Sequence, residues 1–234
     1  MLIPTKLALA AGSMLLASSA ALPLSPATTQ PQTLRELRGV PRPQLSAADA
    51  VLLIIDAQEE YRSGPLNLEA FGDALAEIAR LRAWAHAHGV PVIHVRQISA
   101  RDSTVFAEGS HGAQIVPELA PLETEEVVDK TLPNAFADTR LEALLAGMGR
   151  RQLIVTGFMT HMCLDATTRA AFDRRFTVFI DAAGTAERAI PGPDGRLISA
   201  ATLMRATLAA LNDRFAWVSP TAAVLTAQNH KEHR

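Results

Sequence analysis

The sequence is short of cysteine, of basic clusters and of long apolar segments, and each shortage excludes a class of protein. Its 234 residues include a single cysteine, so no disulfide can form within one chain. The formal net charge is −2 and no basic block occurs, which argues against a nucleic-acid partner. The apolar segment near the amino terminus is shorter than the ~20 residues that a membrane-spanning helix needs. What remains is a chain with 48% hydrophobic residues, enough for the core of one domain.

Residues 1–27 have the pattern of a secretory signal peptide. Lys6 carries the only side-chain charge in the first thirty residues, and an apolar segment follows from Leu7 to about Ala17. Small residues then occupy positions 18–21, as they do before a cleavage site. We therefore predict a periplasmic or secreted protein that has no membrane attachment once the leader is removed. An uncleaved anchor is the weaker alternative, and a cytoplasmic location is the other.

The rest of the chain divides into three predicted parts. Residues 28–46 are rich in proline and polar residues, which is typical of a linker or surface arm. Residues 47–228 form the predicted domain, and 229–234 a tail. Within the domain, apolar runs predict strands, and they lie at 50–56, 90–97, 125–130, 151–158, 176–183 and 215–219.

Helical periodicity separates most of these runs. It predicts helices over 68–89, 138–149, 163–175 and 198–214. Gly89 stands where the first of these should end, and Asp138 is a candidate N-cap of the second. The alternation predicts an α/β protein with a three-layer, Rossmann-like fold: a six-stranded, mostly parallel sheet with helices on both faces.

Three predicted strands end near residues that carry reactive side chains. Asp56 follows the first strand, Lys130 closes the third, and Cys163 lies just beyond the fourth. Each one alone has an ordinary explanation, since Asp often caps a turn and Lys is usually solvated. Because ligands bind beyond the carboxyl ends of such strands, we expect the three side chains to meet in one cleft.

Such a cleft would suit covalent catalysis by a thiolate. We predict Cys163 in the first turn of its helix, where unpaired N–H groups and a nearby Lys130 would lower the pKa of the thiol. Asp56 can accept the thiol proton and later deliver it to a leaving group.

The same residues lie in three motifs that resemble the isochorismatase-like cysteine hydrolases. "LLIIDAQEEY" resembles their D-x-Q opening, "VVDKTLPNAFADTRLEALL" their lysine segment, and "LIVTGFMTHMCLDATTRAAF" their nucleophile segment. The similarity covers about residues 48–226. It implies that Cys163 is the nucleophile, Asp56 the general base and acid, and Lys130 the charge that orients both.

The resemblance also implies details of the cleft. A cis peptide bond would lie between Phe158 and Met159, and the N–H groups of Met159 and Cys163 would form an oxyanion hole. The residues predicted to contact substrate are Gln58, Phe136, Phe158, Thr160 and His161, and Tyr61 or Arg96 could reach in from neighbouring segments. Ordinary packing or surface exposure is the alternative for Phe136, Phe158, Tyr61 and Arg96, and a solvent-facing helix start is the alternative for His161.

No metal and no cofactor are predicted. The metal-using nicotinamidases of the family carry an Asp-x-His between the first and second motifs, and this sequence has none in that interval. His86 and His88 lie on a predicted helix beside Trp84, where a solvated or core-edge role fits histidine better than metal ligation. His94 lies within a strand, and a single histidine is a weak metal signal.

The sequence thus predicts a metal-independent cysteine hydrolase that cleaves a C–N amide-type bond of a small molecule through a thioester at Cys163. The alternatives are an ester, lactam or vinyl-ether hydrolase on the same fold, or a non-catalytic protein that uses its thiol for redox sensing or binding. A sensor usually has a second, resolving cysteine, and this chain has none. The apolar helices and the family resemblance further predict a homo-oligomer.

Overall fold

The structure, a computed structural model, describes residues 30–219. The predicted leader, the first two residues of the predicted arm, positions 220–228 of the predicted domain and the predicted tail at 229–234 lie outside these residues. Within 30–219, no helix combines the length and the apolar character that crossing a bilayer requires.

Six parallel strands form the central sheet, as the sequence predicts. The strands are β1 (Ala50–Ile55), β2 (Val92–Gln97), β3 (Glu126–Lys130), β4 (Gln152–Gly157), β5 (Thr177–Thr185) and β8 (Trp217–Ser219). Their order across the sheet is β3-β2-β1-β4-β5-β8, and every neighbouring pair is parallel. A short antiparallel ribbon of β6 (Ile190–Pro191) and β7 (Leu197–Ile198), which the sequence did not indicate, follows β5.

Helices cover both faces of the sheet. They are α1 (Leu34–Leu37), α2 (Glu60–Ser63), α3 (Phe71–Ala87), α4 (Leu141–Met148), α5 (Asp165–Asp173) and α6 (Ala200–Arg214). The alternation of side chains along a strand explains the three layers, because every residue of β1 is buried and its neighbours point to opposite faces. Leu52 and Ile54 pack into the core beneath α3, whereas Leu53 and Ile55 pack into the core beneath α4, α5 and α6.

The start of α4 differs from the prediction. Asp138, the predicted N-cap, has a positive φ of 55° and lies before the helix. The N-cap is Arg140, whose side chain makes no capping bond. Instead the hydroxyl of Thr139 accepts the N–H of Leu141 at 3.2 Å. The hydroxyl of Thr139 therefore caps the helix in place of the predicted carboxylate of Asp138.

The segment before β1 contains structure that its composition did not indicate. Thr33 and Glu36 form a capping box at the start of α1. The guanidinium of Arg35 donates to the carbonyl of Ala216 at 2.8 Å and lies 3.5 Å from the ring centre of Trp217. Residues 33–37 are therefore held against the end of the sheet next to β8.

The long segment after β2 lies over the carboxyl edge of the sheet. It includes a 3₁₀ turn at Pro117–Leu119, and Val116 and Leu119 are fully buried. The side-chain amide of Gln58 donates to the carbonyls of Gln97 and Ala113, at 2.8 and 2.9 Å, and so ties this loop to the end of β2. These bonds and buried side chains hold the loop in place over the ends of the strands.

Gly157 at the end of β4 admits no side chain. Its φ is +110°, and a Cβ there would lie 2.0 Å from the carbonyl oxygen of Ile55. We expect Gly157→Ala to lower the free energy of unfolding by about 2–4 kcal/mol, because both the backbone conformation and the contact with β1 become strained. Urea unfolding followed by circular dichroism measures this loss.

The matched control is Gly147→Ala inside α4, where a Cβ would meet nothing within 4 Å. That variant should gain about 0.5–1 kcal/mol from reduced backbone entropy of the unfolded chain. Equal stabilities of the two variants would contradict the close approach of β4 to β1.

Candidate active site

The ends of β1, β3 and β4 bring three reactive side chains together, as the sequence predicts. The ammonium of Lys130 lies 2.8 Å from Oδ2 of Asp56 and 3.3 Å from Sγ of Cys163. It also donates to Oε1 of Gln97 at 2.6 Å. The side chains of Lys130 and Asp56 are completely buried, and Cys163 is only 5% exposed. Lys130 is therefore the centre of the cluster.

The backbone of Asp56 is fixed where β1 ends. Its φ is +49°, in the left-handed region that few residues other than glycine adopt. The Asp56 N–H donates to the carbonyl of Val95 at 2.9 Å, and its own carbonyl accepts the N–H of Gln58 at 2.8 Å. These bonds hold the carboxylate at the edge of the sheet, directed toward Lys130.

Cys163 follows an irregular turn after β4. The predicted cis peptide bond between Phe158 and Met159 is present. A π-helical turn then spans Thr160–Leu164, and α5 begins only at Asp165. Cys163 thus lies in the first turn of the helical segment, as predicted, but this turn is π-helical and begins three residues before Cys163. The N–H of Met159 has no acceptor within residues 30–219, so it is available to an oxyanion.

The protonation of the thiol differs from the prediction. Burial raises the pKa of Cys163 far above its usual range, and the charge of Asp56 raises it further, while Lys130 opposes both. Burial also raises the pKa of Asp56 despite the attraction of Lys130. Burial therefore opposes a charge on both acidic groups, and the contacts with Lys130 favour one. The predicted depression of the thiol pKa overlooked how completely the cluster is removed from water.

Two of the predicted substrate contacts are structural instead. Gln58 is fully buried, and both ends of its amide are occupied by backbone, since Oε1 also accepts the N–H of Gln97 at 2.8 Å. Thr160 is fully buried too, and its hydroxyl donates to the carbonyl of Ala186 at 3.1 Å. Gln58 positions the residue that holds Lys130, and Thr160 attaches the π turn to the segment after β5.

The two predicted phenylalanine contacts are core residues. The ring of Phe158 is fully buried between Tyr61 and Phe71, with ring centres 5.8 and 5.0 Å away. Phe136 is 5% exposed and packs against Phe176. Because both rings are enclosed by protein, the structure favours ordinary packing over a substrate contact for each of them.

Of the two further candidates, the structure brings only Tyr61 near the cluster. Tyr61 is buried, and burial raises the pKa of its hydroxyl well above the usual value of 10. Asp56 and Cys163 lie close enough to raise that pKa further. Arg96 instead forms a bidentate pair with Asp129 at 2.7 and 2.8 Å, with half of the Asp129 side chain exposed. The alternating faces of β2 explain the difference, since Arg96 points away from the site.

His161 has a partner that sequence reasoning missed. Oε1 of Glu187 accepts the His161 N–H at 2.6 Å and interacts with its Nδ1 at 2.7 Å. Glu187 lies after β5 on an irregular segment, with its side chain 1% exposed. No spacing in the sequence links the two residues, because they meet only through the pairing of β4 with β5.

Two histidines away from the cluster, His86 and His94, contact a buried carboxylate. His86 and His94 contact the two oxygens of Glu125 at 2.8 and 3.1 Å, and Arg82 donates to both oxygens. Burial alone would raise the pKa of Glu125, but the bonds from Arg82, the Leu122 N–H and His86 together hold it at about 2. In the described part of the chain, no three His, Cys, Asp or Glu side chains are arranged to hold a metal. A site that works without metal stays a prediction.

Comparisons with known proteins agree with this architecture. Residues 50–223 match the family model of the isochorismatase domain. The chain is 35% identical over 181 residues to the secreted isochorismatase effector Isc1 of Verticillium dahliae, covering 77% of this chain and 93% of that protein. It is 28% identical to the ureidoacrylate amidohydrolase RutB of Methylobacterium radiotolerans, covering 78% of this chain and 81% of that one.

A solved structure is similar as well. The crystal structure of an isochorismatase from Pseudomonas putida KT2440 superposes with a TM-score of 0.79 and 39% sequence identity, covering 83% of this chain and 99% of that one. The six-stranded sheet and its helices are therefore shared with solved members of one family.

The charge of Asp56 should be measurable in the reactivity of the thiol. We expect Asp56→Asn to increase the rate of Cys163 alkylation by iodoacetamide at pH 8 by about tenfold or more, because removing a neighbouring negative charge favours the thiolate. Since Cys163 is the only cysteine, mass spectrometry of the whole chain gives the rate directly.

Asp129→Asn is the control, because it removes the same charge from an exposed side chain next to Lys130 in sequence. Its alkylation rate should equal that of the unmodified chain. A slower reaction in Asp56→Asn than in this control would show that the carboxylate does not keep the thiol protonated.

Proposed function

Because the chain belongs to the isochorismatase family of hydrolases, we propose that it is a cysteine hydrolase that cleaves the C–N bond of a small amide through a thioester at Cys163. One observation carries the proposal: a single buried ammonium, that of Lys130, contacts both a carboxylate and the only thiol of the chain. The similarity to an amidohydrolase favours an amide as the bond that is cut.

In the first half of the reaction, Sγ of Cys163 attacks the carbonyl carbon of the substrate. The thiol proton passes to Asp56, whose raised pKa makes it a better base than an exposed carboxylate. The carbonyl oxygen becomes an oxyanion, which the N–H groups of Met159 and Cys163 stabilise. Asp56 then returns the proton to the departing nitrogen, the C–N bond breaks, and a thioester and an amine remain.

In the second half, water attacks the thioester carbonyl and gives its proton to Asp56. The C–S bond breaks, the sulfur recovers the proton, and a carboxylic acid leaves. Lys130 stays paired with Asp56 and stabilises the negative charge while it is on sulfur. Every group that these steps need is supplied by the chain, so the proposal assigns no step to a metal or a cofactor.

The alternatives differ in what they require of Cys163. Ester or lactam hydrolysis would use the same attack and the same thioester. Cleavage of a vinyl ether, as the family resemblance implies, would not use the cysteine. A redox sensor would need its thiol accessible, whereas Cys163 is 5% exposed and its pKa is raised.

Substitutions at the nucleophile and at the base test this mechanism. We expect Cys163→Ala to lower kcat/KM for amide hydrolysis by about 10³-fold or more, and Asp56→Asn by about 10²–10⁴-fold. The measurements are ammonia or amine release from a panel of small amides, and the mass of a Cys163 peptide quenched in acid, where the thioester adds the acyl group.

Asp129→Asn is again the control and should retain full activity, since its side chain faces away from the cluster. Amide hydrolysis that survives in Cys163→Ala would exclude the thioester mechanism. An Asp56→Asn chain that alkylates faster but hydrolyses more slowly would separate the role of Asp56 as proton donor from its effect on the thiol.

We also propose that the protein is exported, as the first 27 residues predict and as the name of the secreted Verticillium relative supports. When the full chain is expressed in a bacterium, we expect the protein recovered outside the cytoplasm to have a mature amino terminus between residues 19 and 28. Mass spectrometry of that protein reads the terminus. An intact Met1 on a cytoplasmic protein would contradict it. A homo-oligomer stays a prediction.

A further inference from the structure

Glu187 and His161 form a pair next to the nucleophile that the proposed reaction does not use. One carboxylate oxygen holds both the backbone N–H and the ring of His161, at 2.6 and 2.7 Å. His161 lies in the same π turn as Cys163, two residues before it. Its side chain is 15% exposed whereas that of Glu187 is 1% exposed, so the imidazole is the part of the pair that meets solvent.

The pair fixes which ring nitrogen is open. An ionised carboxylate can only accept hydrogen bonds, so Nδ1 of His161 carries the hydrogen that points at Glu187. Nε2 has no partner within residues 30–219, so it is the ring nitrogen that can meet a ligand. With the hydrogen of a neutral imidazole on Nδ1, Nε2 accepts, which suits an N–H donor on the substrate.

A second buried carboxylate lies on the other side of Tyr61. Oε2 of Glu60 accepts the N–H of Phe106 at 3.2 Å, and Oε1 of Glu60 is buried with no hydrogen-bond partner. The ring of Phe106 packs edge-on against Tyr61 with centres 5.3 Å apart. The side chains of Asp56, Cys163, Glu187 and Glu60 all lie close enough to Tyr61 that a negative charge on any of them raises its pKa further than burial alone, so these groups surround one ring.

The positive charge available to balance them is small. Lys130 is the ammonium at the cluster, and it is paired with Asp56. In the described part of the chain, no Lys or Arg side chain lies within 4 Å of the carboxylates of Glu60 or Glu187. Arg188 follows Glu187 directly, yet only its backbone N–H contacts that carboxylate, at 3.2 Å. Three carboxyl groups, those of Asp56, Glu60 and Glu187, thus surround Tyr61, and among residues 30–219 Lys130 is the one ammonium that contacts any of them.

We propose that this cleft selects substrates that bring a positive charge or a set of N–H donors close to the scissile bond, with Glu187 and His161 as the residues that determine this specificity. Amines, amidines and guanidines are the fitting groups, whereas a carboxylate at the same distance is repelled. The inference rests on the proposed function, since it takes Cys163 to mark where the substrate reacts.

The single thiol allows a test that needs no known substrate. Three methanethiosulfonates of similar size carry an aminoethyl, a propyl or a carboxyethyl group. In each reaction the thiolate attacks the reagent's sulfenyl sulfur, a mixed disulfide forms and methanesulfinate leaves. Mass spectrometry of the folded chain gives the three rates, and dividing each by the rate on the urea-unfolded chain removes the intrinsic reactivity of the reagent.

We expect the normalised aminoethyl rate to exceed the carboxyethyl rate by about tenfold or more, the size of effect that a like-charged cleft produces in association rates. Glu187→Gln should reduce this ratio by about threefold or more, because the amide keeps the bonds to His161 but lacks the charge. Glu123→Gln is the control, since Glu123 is exposed and lies before the amino end of β3. It should leave the ratio unchanged.

Equal rates for the cationic and anionic reagents would overturn the inference, as would a ratio that Glu187→Gln leaves intact. A folded chain that none of the reagents labels would also overturn it, because a charged substrate could not reach the thiol either. A purely structural role of Glu187 would change the thermal midpoint and not the charge ratio. Failure of the proposed function is a separate result: Cys163→Ala would then hydrolyse amides as fast as the unmodified chain. The labelling ratio does not depend on that result.

Discussion

The buried ion pair between Lys130 and Asp56 is the interaction on which the site depends. Two charges that water cannot reach are stable only while they face each other, and removing one partner of such a pair typically costs about 3–5 kcal/mol. The pair therefore fixes the ends of β1 and β3 relative to each other. Because Lys130 also contacts Sγ, at 3.3 Å, the same constraint determines where the nucleophile lies.

Burial decides which reactions this cluster favours. If the thiol of Cys163 lost its proton to solvent, a second negative charge would lie buried beside Asp56. The raised pKa of the thiol reflects the free-energy cost of that charge. A proton that moves from Cys163 to Asp56 leaves the total charge of the cluster unchanged. The low-dielectric surroundings therefore oppose a free thiolate at rest but not a proton transfer within the site. In the proposed mechanism, the thiolate therefore forms only when a substrate is present to be attacked.

The sequence predicts the sheet and the three reactive residues because both depend on local patterns. A buried strand needs a continuous apolar run, and the residue after it must lie at the sheet edge, so Asp56 and Lys130 could be placed without coordinates. The direction of the Cys163 pKa could not, because burial depends on loops that close over the strands. The prediction that Gln58 contacts substrate rested on its place in a motif beside a reactive residue. Its amide instead bonds the backbone of Gln97, a contact that the motif does not indicate.

Chemistry and specificity are carried by different parts of this fold. Of the proposed reacting groups, Asp56 and Lys130 stand at the ends of β1 and β3, where pairing with neighbours fixes them, and Cys163 stands in the π turn after β4. Glu60 begins the short helix α2, His161 lies in the π turn and Glu187 follows β5, and their contacts arise only from tertiary packing, so no spacing in the sequence joins them. Members of one family can thus keep the same attack on a carbonyl while the charge around it changes. The chemistry of this chain follows from its strand ends, and its substrate must be sought through the charges of its loops.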